Sequence, residues 1–389
     1  MNELNREVYM PKKKIRILHI LPSLQCGGTE TWLLHLMETI DRSRYQLDFL
    51  IRAPEHCFYE DRFRQLGANI YRVPGKVNGR RRPLRYLYGI RRTLIKTGPY
   101  DVIHCHDGFN SGLYVLIAKN VGIPIRIAHS HNDYARSSAG KNMIDAGMTW
   151  MKEKMIKGFA THGFACSSTG ASALFGKQWE ADPRWQTFFC GLDFNPFNKQ
   201  VNGVAIRQAL GIPADTFVVG HVGIFTEQKN HRKLISIFGE VIKKRPDAYL
   251  LLVGDGHLRP VVEEQAKQLS LLERVVFAGI RSDVPELMLG AMDVFLFPSL
   301  FEGLGLVLVE AQAAGLPCVI SDVIPEEADV VSNLVTRMPL ACSDEEWAEK
   351  ILKSVNTARN SIDRAQFRRF DIEYSANTLA ELYGAASRR

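Results

Sequence analysis

Two glutamates separated by a glycine-bearing turn are the residues here best suited to chemistry. In PSLFEGLGLVLVEAQAAGLP (298–317), Glu302 falls in a loop, and Gly303 and Gly305 permit a tight turn. The apolar run from Leu306 then stops at Gly315 and Pro317, the ordinary end of a helix. A helix starting on such a turn leaves the N–H groups of Gly305, Leu306 and Val307 free to cradle a diphosphate. Glu310, about one turn in, sits among Val309, Ala311 and Ala313, where a carboxylate can accept hydrogen bonds from ligand hydroxyls such as those of ribose. Glu302 suits the hydroxyls of an attached sugar. Lys229, in GIFTEQKNH, offers a point charge against a departing diphosphate. Asp255 in VGDG fits either a turn or a ligand contact.

A second group lies in the first half. Gly27 and Gly28 follow an apolar strand and would let backbone approach phosphate from an opposite wall. His104, His106, His129 and His131 fall at alternating strand positions, which puts each pair of rings on one face. That pattern admits a metal, but no CxxC or HExxH motif accompanies it, and Asp107 and Asp133 could equally orient the imidazoles. His131, just past its strand, is the best placed to face a ligand.

The elements that position these residues follow one grammar used twice. IRILHIL (15–21), a glycine turn and the helical pattern WLLHLMETI begin a doubly wound α/β unit, continued by YQLDFLI, NIYRVP, DVIHCH (101–106) and IRIAHSH (125–131). The pattern restarts with TFVVGHVG (216–223), a helix from about Asn230 to Val241, and the strands AYLLLVGDG, RVVFAGI, DVFLFPS and LPCVISD. GLDFNPFNKQVNG (191–203) has no sustained period and marks the boundary. The expected division is a first domain over 1–195, a second over 196–368, and a final helix over 369–389. That helix carries an apolar series of Ile372, Tyr374, Leu379, Leu382 and Tyr383. Two such domains enclose a cleft at the C-terminal ends of both sheets, where α/β proteins bind ligands.

Composition sets limits. The 389 residues are 46% hydrophobic and 23% charged, which suits a two-domain enzyme and excludes disorder or a coiled coil. Seven scattered cysteines without paired spacing indicate free thiols in a cytoplasmic protein. Neither a signal peptide nor a membrane span is expected. The formal charge of +7 is unevenly placed: Lys76, Arg80, Arg81, Arg82, Arg85, Arg91, Arg92 and Lys96 have no acidic residue among them. A helix from about Pro83 would present arginines to an anionic membrane surface, while nucleic acid is not expected.

With these residues in view, the sequence resembles the retaining glycosyltransferases of family four, which have the GT-B fold. The resemblance spans nearly the whole chain through CGGTE (26–30), AHSHN (128–132), CGLD (190–193), HVGIFTEQKNH (221–231), LLVGDG (251–256) and FEGLGLVLVEAQAAGLP (301–317). Within the family it looks like bacterial enzymes of capsular or exported polysaccharide. The resemblance implies two Rossmann-like domains facing across a cleft, a UDP-sugar donor, and a lipid-linked or oligosaccharide acceptor bound mainly by the first domain. It implies that Glu310 holds the ribose, Glu302 the donor sugar, and Lys229 with the amides near Leu306 the diphosphate. Gly28 would approach the phosphate, and His131 would lie near the sugar. Catalysis would rest on His131, Lys229 and Glu302 without a metal, in keeping with the lack of a DxD-like triplet. One position departs: where the family has arginine before the lysine, this chain has Ile224, with Arg281 and His221 as possible substitutes. That departure keeps open a non-catalytic binding partner of a membrane complex; a nucleotide-sugar epimerase of the same architecture is the other alternative.

Overall fold

The computed structural model describes residues 13–77, 80–81, 83–132, 143–354 and 362–388. Seven parallel strands form the first sheet: β1 (Ile15–Leu21), β2 (Tyr45–Ile51), β3 (Ile70–Arg72), β6 (Val102–Cys105), β7 (Ile125–Ser130), β8 (His162–Ala165) and β9 (Trp185–Thr187), in the order β3-β2-β1-β6-β7-β8-β9. Between β3 and β6 lies a small antiparallel ribbon of β4 (Lys76–Val77) and β5 (Arg80–Arg81). The second sheet has six parallel strands: β10 (Val218–Val222), β11 (Tyr249–Val253), β12 (Val275–Gly279), β13 (Val294–Phe297), β14 (Cys318–Ser321) and β15 (Val335–Met338). Their order is β12-β11-β10-β13-β14-β15.

The central strands are nearly continuous apolar runs because helices cover both faces. On one face of the first sheet lie the helices Gly28–Thr39 and Ile372–Gly384, with Trp32, Leu33, Leu36, Leu379 and Tyr383 fully buried. The other face is covered by Pro83–Thr97, Ser111–Asn120 and Met143–Phe159, through Ile90, Leu94, Tyr114, Val115 and Ile156. The helix after β10 runs over His231–Lys244 and buries Leu234, Ile237, Phe238 and Val241. None of the described helices is long and apolar enough to cross a membrane.

Strand order in each sheet turns back once, between β1 and β6 and between β10 and β13. These turning points open crevices at the strand ends, where open α/β sheets take ligands. The final helix, capped by Asp371 at the Glu373 amide (2.7 Å), packs on the first sheet: Tyr383 bonds His104, and Trp32 donates to Ser375 (3.3 Å). Tyr374 departs from the expected apolar series. It is 49% exposed because it lies roughly 200° around the helix from Ile372, whereas Leu379 and Tyr383 share the Ile372 face. The chain's return to the first sheet runs beside its exit: the Leu192 amide donates to Phe370 (2.7 Å) and the Ile372 amide to Leu192 (3.0 Å). Gly191 is required there, because a Cβ would strike the backbone of Asp371 and Ile372.

Candidate active site

The second-domain wall is built by the loops after β10 and β13, which are zipped together. The Leu300 amide donates to Gln228 (2.8 Å), and the Asn230 side chain donates to Pro298 (3.1 Å) from a left-handed backbone at φ 54°. This zipper brings Lys229 to Glu302: Nζ lies 2.7 Å from Oε1, Gln228 donates to the other carboxylate oxygen at 3.2 Å, and Lys229 also caps the Phe297 ring. Both side chains are largely buried, so each needs the other in the absence of a bound anion.

Past Glu302 the backbone reaches Gly305 at φ 88°, a left-handed conformation that favours glycine, and the helix Leu306–Ala313 begins. Leu308 donates back to Gly305 (2.8 Å), while the amides of Gly305, Leu306 and Val307 have no backbone acceptor among the described residues. Glu310 forms no side-chain hydrogen bond or ion pair with a described residue. Although part of its surface remains open, it is desolvated enough that burial pushes its carboxyl up to about 7.

The first-domain wall meets this one closely. A Cβ on Gly303 would run into the His131 carbonyl and Asn132, so that glycine is what lets the two walls touch. A Cβ on Gly28 would lie 3.6 Å from Leu306. His131 thus meets Gly303, and Gly28 meets Leu306, where the two walls come together.

Behind the half-buried His131 are four buried imidazoles, which with it form a cluster of five. His104 lies 2.8 Å from the Tyr383 hydroxyl and 3.1 Å from His129; His106 lies 3.0 Å from His19 and 2.8 Å from His131; His131 lies 3.5 Å from the Cys190 sulfur. Burial drives the ring pKa values down, to about 3 for His19 and His131 and well below the usual range for His104, His106 and His129, where the neighbouring rings add to the effect. His131 is thus neutral, with both ring nitrogens engaged by protein. Two trios, His19/His104/His106 and His106/His129/His131, bring ring nitrogens within 4.8 Å, the donor set a transition metal takes. His19 was missed in the sequence although β1 pairs with β6 so that it lies opposite His104.

Asp107 does not orient these rings. It pairs with Arg52 (3.1 Å) and accepts from Tyr114 (2.7 Å), because its position past β6 turns it to the other sheet face. Asp133 lies outside the described residues. The Asp255 carboxylate bonds the Gly256 amide (2.7 Å), the turn arrangement. Ile224 is 45% exposed; Arg281 is forked onto Asp283 (2.7 and 2.6 Å), and His221 is buried and neutral.

One desolvated carboxylate beside the glycine turn after β1 was not singled out from sequence. Glu30, in the first turn of Gly28–Thr39, is pushed up to about 7 by burial. Its proximity to Gly27 and Gly28 in CGGTE was the available signal.

Two nucleotide-fold lobes meeting across the ends of their parallel sheets define a GT-B glycosyltransferase architecture. Residues 204–369 match the family model described as glycosyl transferases group 1, and residues 27–184 match the glycosyl transferase 4-like domain. The chain is 36% identical over 353 residues to the putative glycosyltransferase EpsF of Bacillus subtilis, spanning 90% of each. It is 28% identical over 80% of each chain to the UDP-Gal:alpha-D-GlcNAc-diphosphoundecaprenol alpha-1,3-galactosyltransferase of Escherichia coli. Its fold is similar to that of Anabaena Alr3699/HepE in complex with UDP and glucose, with a TM-score of 0.78 at 21% identity over 95% of this chain and 100% of that one. The chain belongs to the group 1 glycosyltransferase family and is a glycosyltransferase.

Proposed function

We propose that the protein transfers a hexosyl group from a UDP-sugar to a hydroxyl of a lipid-linked or oligosaccharide acceptor, with retention, in surface polysaccharide synthesis. The observation that carries this is the second-domain wall: amides at Gly305, Leu306 and Val307 with no backbone acceptor among the described residues, beside the Lys229–Glu302 pair, and Glu310 with no side-chain partner among those residues one turn further on. In this reading the diphosphate draws Lys229 away from Glu302, which is then free to hold sugar hydroxyls, and Glu310 accepts from the ribose. Gly28 admits the phosphate from the first wall. His131, neutral and fixed by His106, positions the sugar instead of acting as a base. Amides and Lys229 stabilise charge as the sugar–phosphate bond breaks on the face that the acceptor attacks. The uridine donor and the prenyl-linked acceptor class are supported by what the Escherichia coli relative's name states and by the UDP and glucose bound in the Anabaena structure.

The division into 1–195, 196–368 and 369–389 belongs to the same proposal, with the acceptor bound by the first part. So does peripheral attachment to an anionic membrane at its cytoplasmic face through residues 76–96. Helix Pro83–Thr97 supports it, with Leu84 82% and Tyr88 64% exposed beside exposed Arg85, Arg91, Arg92 and Lys96. Arg82, within the expected basic stretch, lies outside the described residues. Flotation with vesicles containing phosphatidylglycerol should recover the protein, and Leu84→Ser with Tyr88→Ser should abolish recovery.

Ile224 is the observation favouring the second reading, a non-catalytic binding partner. Calorimetry with UDP-glucose, UDP-galactose and UDP-N-acetylglucosamine, combined with UDP release with and without a farnesyl-diphospho-N-acetylglucosamine acceptor, separates the readings. Binding with acceptor-dependent UDP release supports transfer; binding without release supports the partner. Release of UDP together with an epimerised free sugar, independent of acceptor, would identify an epimerase.

A further inference from the structure

The functional reading uses His131 and leaves the rings behind it without a task. They form two hydrogen-bonded rows near the C-terminal ends of β1, β6 and β7. In one row His19 Nδ1 lies 3.0 Å from His106 Nε2, His106 Nδ1 lies 2.8 Å from His131 Nε2, and His131 Nδ1 lies 3.5 Å from the Cys190 sulfur. In the other, Tyr383 meets His104 and His104 meets His129. The rows stack on each other, with ring centroids 4.3 Å apart at His104–His106 and 4.0 Å at His129–His131, and Trp32 packs edge-on against His106 and His129.

The first row has a direction. Burial keeps its three imidazoles neutral, so each carries one N–H and one bare nitrogen, and a proton placed on one ring fixes the others. The inner end settles the choice. His19 Nε2 is buried with no hydrogen-bond partner among the described residues, and a bare nitrogen is better tolerated there than an N–H without an acceptor. His19 therefore donates from Nδ1 to His106, His106 from Nδ1 to His131, and His131 from Nδ1 to Cys190. Reversing His106 alone would set two protons against each other at one end of its ring and two lone pairs at the other.

We infer that His19 and His106 are positioning residues that hold the His131 ring in its Nδ1–H tautomer and in one orientation where the two walls come together. The inference rests on the proposed transferase reading, in which His131 positions the donor sugar. Both residues lie behind His131, 0% and 4% exposed, and act through it. Fixing the ring also steadies the His131 carbonyl, which abuts Gly303 of the opposite wall.

The test begins with the tautomer itself. In wild-type protein carrying isotope-labelled histidine, nitrogen NMR should show the His131 ring, assigned by the signals lost in His131→Asn, as a single tautomer protonated on Nδ1 between about pH 6 and 8. His106→Leu removes the donor and should leave His131 as a mixture of tautomers. His106→Gln, whose amide can donate from a similar position, should restore the wild-type pattern. The transfer assay uses the farnesyl-diphospho-N-acetylglucosamine acceptor with UDP-glucose, UDP-galactose or UDP-N-acetylglucosamine, whichever wild type turns over. There kcat/KM should fall by about 100-fold in His106→Leu, the sensitivity expected of a group misplaced near 1 Å, and stay within about tenfold of wild type in His106→Gln. UDP affinity by calorimetry should remain within about twofold in both, because the amide cradle belongs to the other wall. A wild-type His131 protonated on Nε2, or present as a mixture, overturns the inference even where neither variant folds. So does His106→Leu with the wild-type tautomer and rate, and in both cases the transferase reading stands. If wild type binds UDP yet transfers no sugar from any donor tried, the transferase reading fails and the positioning task falls with it.

Discussion

The Lys229 ammonium lies 2.7 Å from the Glu302 carboxylate, and the two are held together by loops that leave neighbouring strands. Each is therefore the other's counterion until a ligand separates them. Lys229→Ala should leave Glu302 buried without a countercharge, lowering stability by about 3 kcal/mol and kcat by at least about 100-fold. The double variant Lys229→Met/Glu302→Gln should recover most of the stability and none of the turnover. Thermal unfolding together with steady-state rates checks both; equal instability of the single and double variants would refute the mutual pairing.

Glu310 predicts a pH effect of definite sign. Its folded pKa of about 7 exceeds the unfolded value near 4.5, so between those values the folded state holds the proton more tightly. Its contribution is therefore present at low pH and is lost as pH rises from about 4.5 to 7, on the order of 2–3 kcal/mol. Glu310→Gln should unfold at a higher temperature than wild type at pH 8 and at nearly the same temperature at pH 4.5. Because ribose needs the ionised acceptor, uridine-nucleotide affinity should rise between pH 6 and 8 more steeply in wild type than in the variant.

Gly303 allows the His131 carbonyl to lie against the loop after β13. Gly303→Ala should force the walls apart by about the radius of a methyl group. UDP affinity should change little, because the cradle belongs to one wall, while kcat should fall by about 100-fold, the sensitivity expected of a misplacement near 1 Å. A parallel loss of UDP affinity would show that the cradle itself had been disturbed.

Ile224 is 45% exposed, so an arginine can be accommodated there without opening the core. Ile224→Arg should raise turnover by about tenfold or more by adding a charge-assisted contact to the diphosphate. No gain in a folded, donor-binding variant would mean that the site has been rebuilt around isoleucine.

Much of this architecture was legible because buried parallel strands read as apolar runs, as in AYLLLV and DVFLF, and because the Glu302–Glu310 segment signals its turn and helix locally. The short strands HGFA and WQT, which form β8 and β9, carry too little pattern to be read. What escaped depends on residues distant in sequence. His19 joins the other imidazoles through the β1–β6 register, and Glu302 meets Lys229 across 73 positions because β13 lies beside β10. The basicity of Glu30 arises from burial, which no local pattern records.

The bridge from Leu192 to Asp371 means that the two lobes are joined by a pair of adjacent cords, one leaving and one coming home. A single protease nick in the outgoing cord would not release either half. Removing the tail from Asp371 onward would instead strip the roof from Trp32 and His104, so neither lobe is expected to survive as a separately expressed fragment with its native surface.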